Sequence, residues 1–355
     1  MKVVSVVGAR PQFIKLAPVS RELRKNAEEI ILHTGQHYNT VLSHIFFQQL
    51  HIPAPDYNLE IGSGTHGYQT GAMLQGIEDI LFTESPDIVL VYGDTNSTLA
   101  GALAATKLHI PLAHVEAGLR SYNKAMPEEI NRVLTDHCAD LLFCPTPTAV
   151  SNLHKEGLED GIHLVGDVMY DALMYNNQLA QNSTILCDLS IQPNTYLLAT
   201  LHRASNTDCV ENLQSILDGF SRISEPIIFP IHPRTQKVLS DNHMRVAENI
   251  RLIDPLGYVD FLRLESRAKA ILTDSGGVQK EAYILGIPCI TLREETEWIE
   301  TVEEGWNTLV GTDPHRIAEK ASTFRPEKKQ KSLFGDGTAS KKIVNLLTQF
   351  IDSMG

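Results

Sequence analysis

The sequence predicts two α/β domains, each built on a parallel sheet, and three observations carry that expectation. Apolar runs of strand length recur at residues 3–7, 30–34, 88–92, 112–116 and 141–144, and a second set follows at 196–201, 227–231, 250–253, 270–273 and 289–292. Helical patterns lie between the runs, and such alternation implies parallel strands joined by crossover helices. At 355 residues with 43% hydrophobic content, the chain is also too long for one comfortable core.

The first set of strands fills residues 1–168, expected to form an N-terminal Rossmann-like domain. Gly166-Asp167-Val168-Met169-Tyr170-Asp171 runs from a strand end into a helix without a flexible linker, so the switch is placed at 168. Residues 169–338 are expected to form the C-terminal Rossmann-like domain. A polar stretch at 324–331 and the Gly335-Asp336-Gly337 turn then lead into an amphipathic helix within 339–355, which can return to the first domain. No internal repeat and no low-complexity tract interrupts this organisation.

Composition excludes several classes of function. No stretch approaches the roughly twenty apolar residues that span a bilayer. The chain enters a strand directly at Lys2-Val3-Val4-Ser5-Val6-Val7, with no signal peptide, so a cytoplasmic protein without membrane partners is expected. Cys138, Cys144, Cys187, Cys209 and Cys289 are odd in number and widely spaced, and read as reduced core thiols rather than a disulfide framework or zinc knuckle. A net charge of −13 argues against nucleic acid but leaves room for a small anion held by local amides, arginines and lysines.

Ligands of open parallel sheets bind beyond the carboxyl ends of strands, which gives those positions the most weight. In the second half, Asp274-Ser275-Gly276-Gly277 joins an apolar strand to a helix. Two successive glycines admit an anion close to the backbone, and the amides at the helix start point at it, so the turn reads as a diphosphate cradle. Glu281, one turn further, is placed to reach a ribose hydroxyl. Thr200-Leu201-His202-Arg203 and Pro230-Ile231-His232-Pro233-Arg234 each set a histidine and an arginine at a strand end.

The first half carries acids instead. After the first strand, Gly8-Ala9-Arg10-Pro11 opens a helix with Pro11 suited to its first position, and Arg10 and Lys15 can flank a leaving phosphate. Asp94 follows the third strand, where it serves either as a helix cap or in chemistry. Glu116 ends an apolar strand with no cap to make, as a catalytic carboxyl would. Glu128 and Glu129 open the next helix, where acids complement the helix dipole. Convergence of Asp94, Glu116 and Glu128 would set several carboxylates together and push their proton affinities apart. No His-Glu-x-x-His, no Gly-x-Ser-x-Gly and no Walker lysine is found, and Gly62-Ser63-Gly64 follows no good buried strand, so hydride and metal chemistry lose support.

The runs Gly8-Ala9-Arg10-Pro11, Gly35-Gln36-His37, Gly93-Asp94-Thr95, His114-Val115-Glu116-Ala117-Gly118-Leu119-Arg120, Pro127-Glu128-Glu129-Ile130-Asn131-Arg132, His232-Pro233 and Asp274-Ser275-Gly276-Gly277 stand in specific order and spacing. On them, the chain resembles the non-hydrolysing UDP-N-acetylglucosamine 2-epimerases over essentially its whole length. The resemblance implies a glycosyltransferase-B-like arrangement of two Rossmann-like domains with the active site in the interdomain cleft, a homodimer, and neither metal nor redox cofactor. It implies catalytic roles for Asp94, Glu116, Glu128 and His202, and a UDP site made of Arg10, Lys15, Phe261, Ser275, Gly276, Gly277, Glu281 and Arg293.

The implied reaction removes the C2 proton and the C1 diphosphate to give a 2-acetamidoglucal and UDP, then adds UDP back while a proton returns to the opposite face of C2. Which carboxylate takes the proton and which returns it stays open in the sequence. Where relatives acting on UDP-N-acetylglucosamine commonly read Glu-Arg-Pro-Glu and Gly-Thr-Arg-Pro-Glu, this chain has Glu297-Trp298-Ile299-Glu300 and Gly8-Ala9-Arg10-Pro11-Gln12. With Gln279-Lys280-Glu281, that pattern is more similar to the branch acting on UDP-2,3-diacetamido-2,3-dideoxyglucuronate in surface polysaccharide synthesis.

A second, activating sugar-nucleotide site in bacterial relatives corresponds to Gln36, His37, Arg203 and His232, but its usual arginine falls at Ala72 here. Loss of a bidentate phosphate partner implies weakened activation. The alternatives are UDP-N-acetylglucosamine itself as substrate, a hydrolysing epimerase, a retaining glycosyltransferase of the same fold, and a nucleotide-sugar-binding regulator without turnover.

Overall fold

The computed structural model describes residues 1–36 and 52–354, and within it the chain divides into two compact units. The first comprises Met1–Met174 together with Phe334–Gly355, and the second comprises Tyr175–Leu333. The first division falls six residues after the expected switch at 168, and the second five residues before the expected boundary at 338. The first lies inside the helix Val168–Ala180, which runs unbroken across it.

In the first unit the strands are β1 (Lys2–Val7), β2 (Glu28–His33), β3 (Tyr57–Asn58), β4 (Ile88–Tyr92), β5 (Leu112–Val115), β6 (Leu141–Cys144) and β7 (Ile162–Leu164). They pair in the order β3-β2-β1-β4-β5-β6-β7, all parallel. A parallel sheet is covered on both faces, which is why its strands are nearly continuous apolar runs. Val3 and Val7 pack on one side with Phe13, Leu16, Leu90, Tyr92 and Ile343, whereas Val4 and Val6 pack on the other with Met73, Ile77, Val89 and Ala100.

The C-terminal helix Ala339–Met354 completes the first of these cores through Ile343, Val344 and Leu347. Its start is tied down by Asp171, whose carboxylate accepts from the amides of Ala339 at 3.2 Å and Ser340 at 2.8 Å and from the Ser340 hydroxyl at 2.5 Å. Burial raises the Asp171 pKa despite those donors, which favour its charged form.

The second unit contains β8 (Leu197–Thr200), β9 (Ile227–Pro230), β10 (Ile250–Ile253), β11 (Ala270–Thr273), β12 (Cys289–Thr291) and β13 (Asn307–Leu309). Their order, β10-β9-β8-β11-β12-β13, reproduces that of the first six strands of the other sheet. Leu197, Ala199, Phe229 and Leu272 fill one face; Leu198, Ile228, Ile271 and Cys289 fill the other. The parallel α/β class expected from the sequence is therefore present in both units.

Differences from the sequence reading are local. Glu116, Leu201 and Leu292 lie beyond their strands, and the short β3, β7 and β13 lack an apolar run long enough to stand out. The first helix spans Arg10–Leu23, so Pro11 occupies its second position rather than its first. Only Cys144 and Cys289 are buried among the five free thiols, and Cys187 is exposed on the short helix Ile185–Asp188, which corrects its reading as a core thiol. No helix among the described residues is long and apolar enough to cross a membrane.

Candidate active site

Both sheets reverse their strand order at one place, between β1 and β4 in the first unit and between β8 and β11 in the second. Loops diverge to opposite sides of the sheet at such a point and leave a crevice at the strand ends. Asp94 follows β4 at the first of these points, and His202 and the Asp274-Ser275-Gly276-Gly277 turn follow β8 and β11 at the second.

In the first unit, Lys15 from the helix Arg10–Leu23 forms an ion pair with Glu116, just past β5. Burial opposes the Lys15 ammonium, but the carboxylates of Glu116, Asp94 and Asp167 outweigh it and raise the pKa above the ordinary lysine value. Asp94 and Glu116 are thus gathered about one enclosed cation. Gly93, at φ 64°, makes room for them, since a Cβ there would lie 3.0 Å from Lys15 Nζ and 3.4 Å from Glu116 Oε2.

Asp94 is not the helix cap. Thr95 takes that role for the helix Asn96–Lys107 by accepting from the Thr98 amide. Asp94 instead accepts from Arg132 Nη2 at 2.6 Å, and Arg132 also donates to Glu129 at 2.9 Å. Asn131 donates to the Asp94 carbonyl at 2.9 Å, so the helix Pro127–Cys138 fixes the loop after β4 through two consecutive side chains.

The two acids at that helix start separate sharply. Glu129 is buried and accepts from the amides of Ser121 and Tyr122 at 2.9 and 2.8 Å, whereas Glu128 is exposed. Burial would raise the Glu129 pKa, but these amides and Arg132 lower it. Glu129 therefore orders the loop before its own helix instead of merely complementing the helix dipole.

The loop carrying Glu116 rests on a buried ionic ladder. His114 meets Asp136 at 2.7 Å and the Gly93 carbonyl at 2.7 Å, Asp136 accepts from Arg120 at 2.7 Å, and Arg120 reaches both oxygens of Glu156 at 2.7 Å. Burial works against the Asp136 carboxylate, yet His114 and Arg120 hold its pKa below the ordinary value. Arg120 is almost wholly enclosed, so it acts by fixing the Glu116 turn.

In the second unit, Ser275 caps the helix Gly276–Leu285 by accepting from the Val278 amide, and the amides of Gly276 and Gly277 have no acceptor among the described residues. Gly277 is exposed, and a Cβ added there would meet nothing nearer than Ser275 Oγ at 3.8 Å. Asp274, fully buried, accepts from the amides of His202 and Arg203 at 2.9 and 3.1 Å and from Asn206 Nδ2 at 3.0 Å. It ties the end of β8 to the end of β11. His202 is exposed next to that tie.

Glu281 is buried and accepts from the Tyr258 hydroxyl at 2.7 Å, while Phe261 is half-buried on the same helix, Tyr258–Glu265. Arg293 pairs with Glu297 at 2.8 Å, and Arg203 lies 3.4 Å from the same carboxylate. The helix Arg10–Leu23 begins at Arg10, immediately beyond the loop after β1.

The remnants proposed for a second nucleotide site are distributed over both units. Gln36 accepts from the Ser97 amide at 3.0 Å, and His232 is exposed and accepts from the Arg234 amide at 3.2 Å. Ala72 is half-buried on the helix His66–Glu84, and His37 lies outside the described residues.

Sequence reasoning missed the supporting roles of Arg132, Asp136 and Asp274. The signal for Arg132 was its spacing, three residues after Glu129 on one helix face. Asp274 looked like part of the anion loop but turns its carboxylate toward the protein. Gln12 was read as a mark of substrate branch; it is instead buried, accepting from the amides of Gly8 and Ala9 at 2.7 and 3.0 Å and donating to the Tyr92 carbonyl at 2.9 Å.

Comparison with known proteins agrees with this layout. The family model for UDP-N-acetylglucosamine 2-epimerase matches residues 21–348. A UDP-N-acetylglucosamine 2-epimerase homolog of Methanococcus maripaludis is 57% identical, with 98% of this chain and 99% of the relative aligned. The UDP-2,3-diacetamido-2,3-dideoxy-D-glucuronate 2-epimerase of Pseudomonas aeruginosa is 49% identical over 98% of this chain and 100% of its own. The crystal structure of Methanocaldococcus jannaschii UDP-GlcNAc 2-epimerase in complex with UDP-GlcNAc and UDP is similar at a TM-score of 0.83, with 48% identity over 98% of this chain and all of that one. Two Rossmann-like units of the glycosyltransferase-B-like class, matched along their whole length to these enzymes, show that the chain belongs to the UDP-N-acetylglucosamine 2-epimerase family and is an isomerase.

Proposed function

We propose that this enzyme inverts C2 of a UDP-N-acetylglucosamine-type sugar without hydrolysis, and that its preferred substrate is UDP-2,3-diacetamido-2,3-dideoxyglucuronate. The observation that carries the chemistry is the gathering of Asp94 and Glu116 about Lys15 beyond the switch point of the first sheet. An enclosed Lys15–Glu116 pair with half-buried Asp94 near it stabilises little for the desolvation it demands, and such clusters mark sites where protons or charge must move.

In this reading the C2–H bond electrons form the C1=C2 double bond while the C1–O bond breaks and UDP departs with its electron pair. A carboxylate of the set Asp94, Glu116 and Glu128 takes the proton, with His202 as the fourth catalytic residue. The open amides of Gly276 and Gly277, Ser275, and the cations Arg10, Lys15 and Arg293 stabilise the developing diphosphate charge, while Glu281 and Phe261 hold the nucleoside. Return of UDP to C1 with protonation of the opposite face of C2 completes the inversion.

The diacetamido acid is favoured by Trp298, which replaces the arginine usual in relatives acting on UDP-N-acetylglucosamine. Its ring lies 4.6 Å from Lys280 Nζ, and its Nε1 lies 3.4 Å from where a Cβ on Gly276 would be. It therefore borders the cradle, whereas the second departure, Gln12, is enclosed by protein and bonded to the amides of Gly8 and Ala9. A specific observation favours the other reading: UDP-N-acetylglucosamine occupies the 48% identical archaeal structure.

Incubation with either sugar in deuterated water, followed by NMR, decides between them. Deuterium at C2 with the UDP linkage intact and faster turnover of the diacetamido acid are expected. Equal or faster turnover of UDP-N-acetylglucosamine reverses the substrate assignment, and absence of C2 exchange with both sugars refutes epimerisation of this substrate class. The same reading has the enzyme work in the cytoplasm as a homodimer without metal or redox cofactor. Light scattering is expected to give twice the chain mass, and a monomer at working concentration would remove the dimer from the reading.

A further inference from the structure

The carboxylate of Glu297 stands where an anionic ligand of the second unit is expected. A Cβ built on Gly276 would fall 2.0 Å from Glu297 Oε1, which puts that oxygen against the first residue of the helix Gly276–Leu285. Glu297 Oε1 is also 3.4 Å from Arg203 Nη2, and Oε2 accepts from Arg293 Nη1 at 2.8 Å. One side chain thus touches a helix start and two arginines from different strand ends. These are the chemical partners of a phosphate group.

Burial would raise the Glu297 pKa, but hydrogen bonding and the two arginines lower it, so the group is an anion at neutral pH. Its fit is incomplete. The helix amides of Gly276 and Gly277 have no acceptor among the described residues, and 43% of the Glu297 side chain remains open to solvent. A diphosphate carries more charge and more acceptor oxygens, and would satisfy the same cations and the amides together.

We propose that Glu297 is an internal counter-anion of the diphosphate site: it holds Arg203 and Arg293 in place while the site is empty and is displaced when a diphosphate enters. This deepens the proposed function, since it rests on the Gly276-Gly277 turn as the diphosphate cradle. Its consequence concerns UDP affinity and release. Each binding event exchanges a carboxylate for a phosphate on the same two arginines, so the net gain is smaller than the contacts alone would give, and the arginines never stand uncompensated. For an enzyme that must hold UDP through the reaction and then release a UDP-sugar, such a competitor sets the balance.

The test is calorimetric titration of wild type, Glu297→Gln and Glu297→Asp with UDP and separately with inorganic pyrophosphate. Removal of the competing charge is expected to tighten both ligands about 2- to 5-fold for Glu297→Gln, in the range of a single half-exposed ionic contact. Glu297→Asp, whose shorter arm withdraws the charge, is expected to fall between. Unchanged or weaker binding of both ligands in either folded variant overturns the proposal and makes Glu297 a positioning residue for the arginines. The pyrophosphate arm separates the two levels of inference: tighter pyrophosphate with no UDP binding to any form sustains the counter-anion while removing UDP, and UDP binding that Glu297→Gln leaves unimproved does the reverse.

Discussion

Glu116 holds its backbone at φ 75°, a left-handed conformation that costs a residue with a Cβ roughly 1–2 kcal/mol. The cost is borne by the neighbouring contacts: its amide and that of Ala117 both donate to the Phe143 carbonyl at 3.1 Å, and the His114–Asp136–Arg120 ladder braces the turn from below. Strain held so firmly at a strand end aims one carboxylate at Lys15. Glu265 is the contrasting acid. It is fully buried in the second unit, neither carboxyl oxygen has a hydrogen-bond partner among the described residues, and burial, with the neighbouring Glu281 second, pushes its pKa well above the glutamate value.

A raised folded-state pKa means that the Glu265 contribution to stability is fully present below the unfolded pKa and is lost as pH rises toward the folded one. Glu265→Met, which fills similar space without the polar atoms, is expected to stabilise the protein by about 1–2 kcal/mol. The gain should be larger at pH 8 than at pH 5 in thermal melts. A variant that is less stable than wild type at both pH values, with the same pH slope, would show that the Glu265 carboxyl has a partner it needs.

At the scale of elements, how much was readable depended on whether a residue's partner lay near it in sequence or across the sheet. The apolar runs at 88–92, 141–144 and 270–273 coincide with β4, β6 and β11, because a strand buried on both faces leaves no other pattern, and the run at 250–253 coincides with β10, an edge strand whose Arg251 is exposed. The start of the helix at Pro127 and the final helix at Ala339 were equally legible from local chemistry. What sequence could not supply was orientation. Asp94 reads as a cap, but Thr95 caps and Asp94 meets Arg132. Asp274 sits in the anion turn, yet it is spent on His202 and Arg203. Gln12 differs from relatives in a motif, and its side chain hydrogen-bonds the backbone of Gly8, Ala9 and Tyr92 and the Thr98 hydroxyl. Each of these depends on a contact formed only after distant strands pair.

Across the whole molecule, one strand order is used twice, and each copy carries different chemistry at its reversal point. The first unit gathers acids about Lys15, and the second leaves two helix amides open beside arginines. The Glu116 carboxylate and the helix amides can therefore be altered one at a time by mutation. Glu116→Gln is expected to leave UDP affinity within about threefold while abolishing deuterium exchange at C2, since under the proposed function it removes one member of the carboxylate set and leaves Lys15, the helix amides and the arginines in place. Gly277→Ala is expected to behave in the opposite way. An added methyl meets nothing nearer than 3.8 Å in the empty site, and alanine is favoured over glycine inside a helix, so stability should hold or rise by up to about 1 kcal/mol. The same methyl would stand over the amides that a diphosphate approaches, so UDP affinity should fall at least about tenfold, the loss of one charge-assisted contact. Full UDP affinity in a folded Gly277→Ala enzyme would place the diphosphate elsewhere, and loss of UDP binding in Glu116→Gln would show that the Glu116 charge is itself needed to hold UDP.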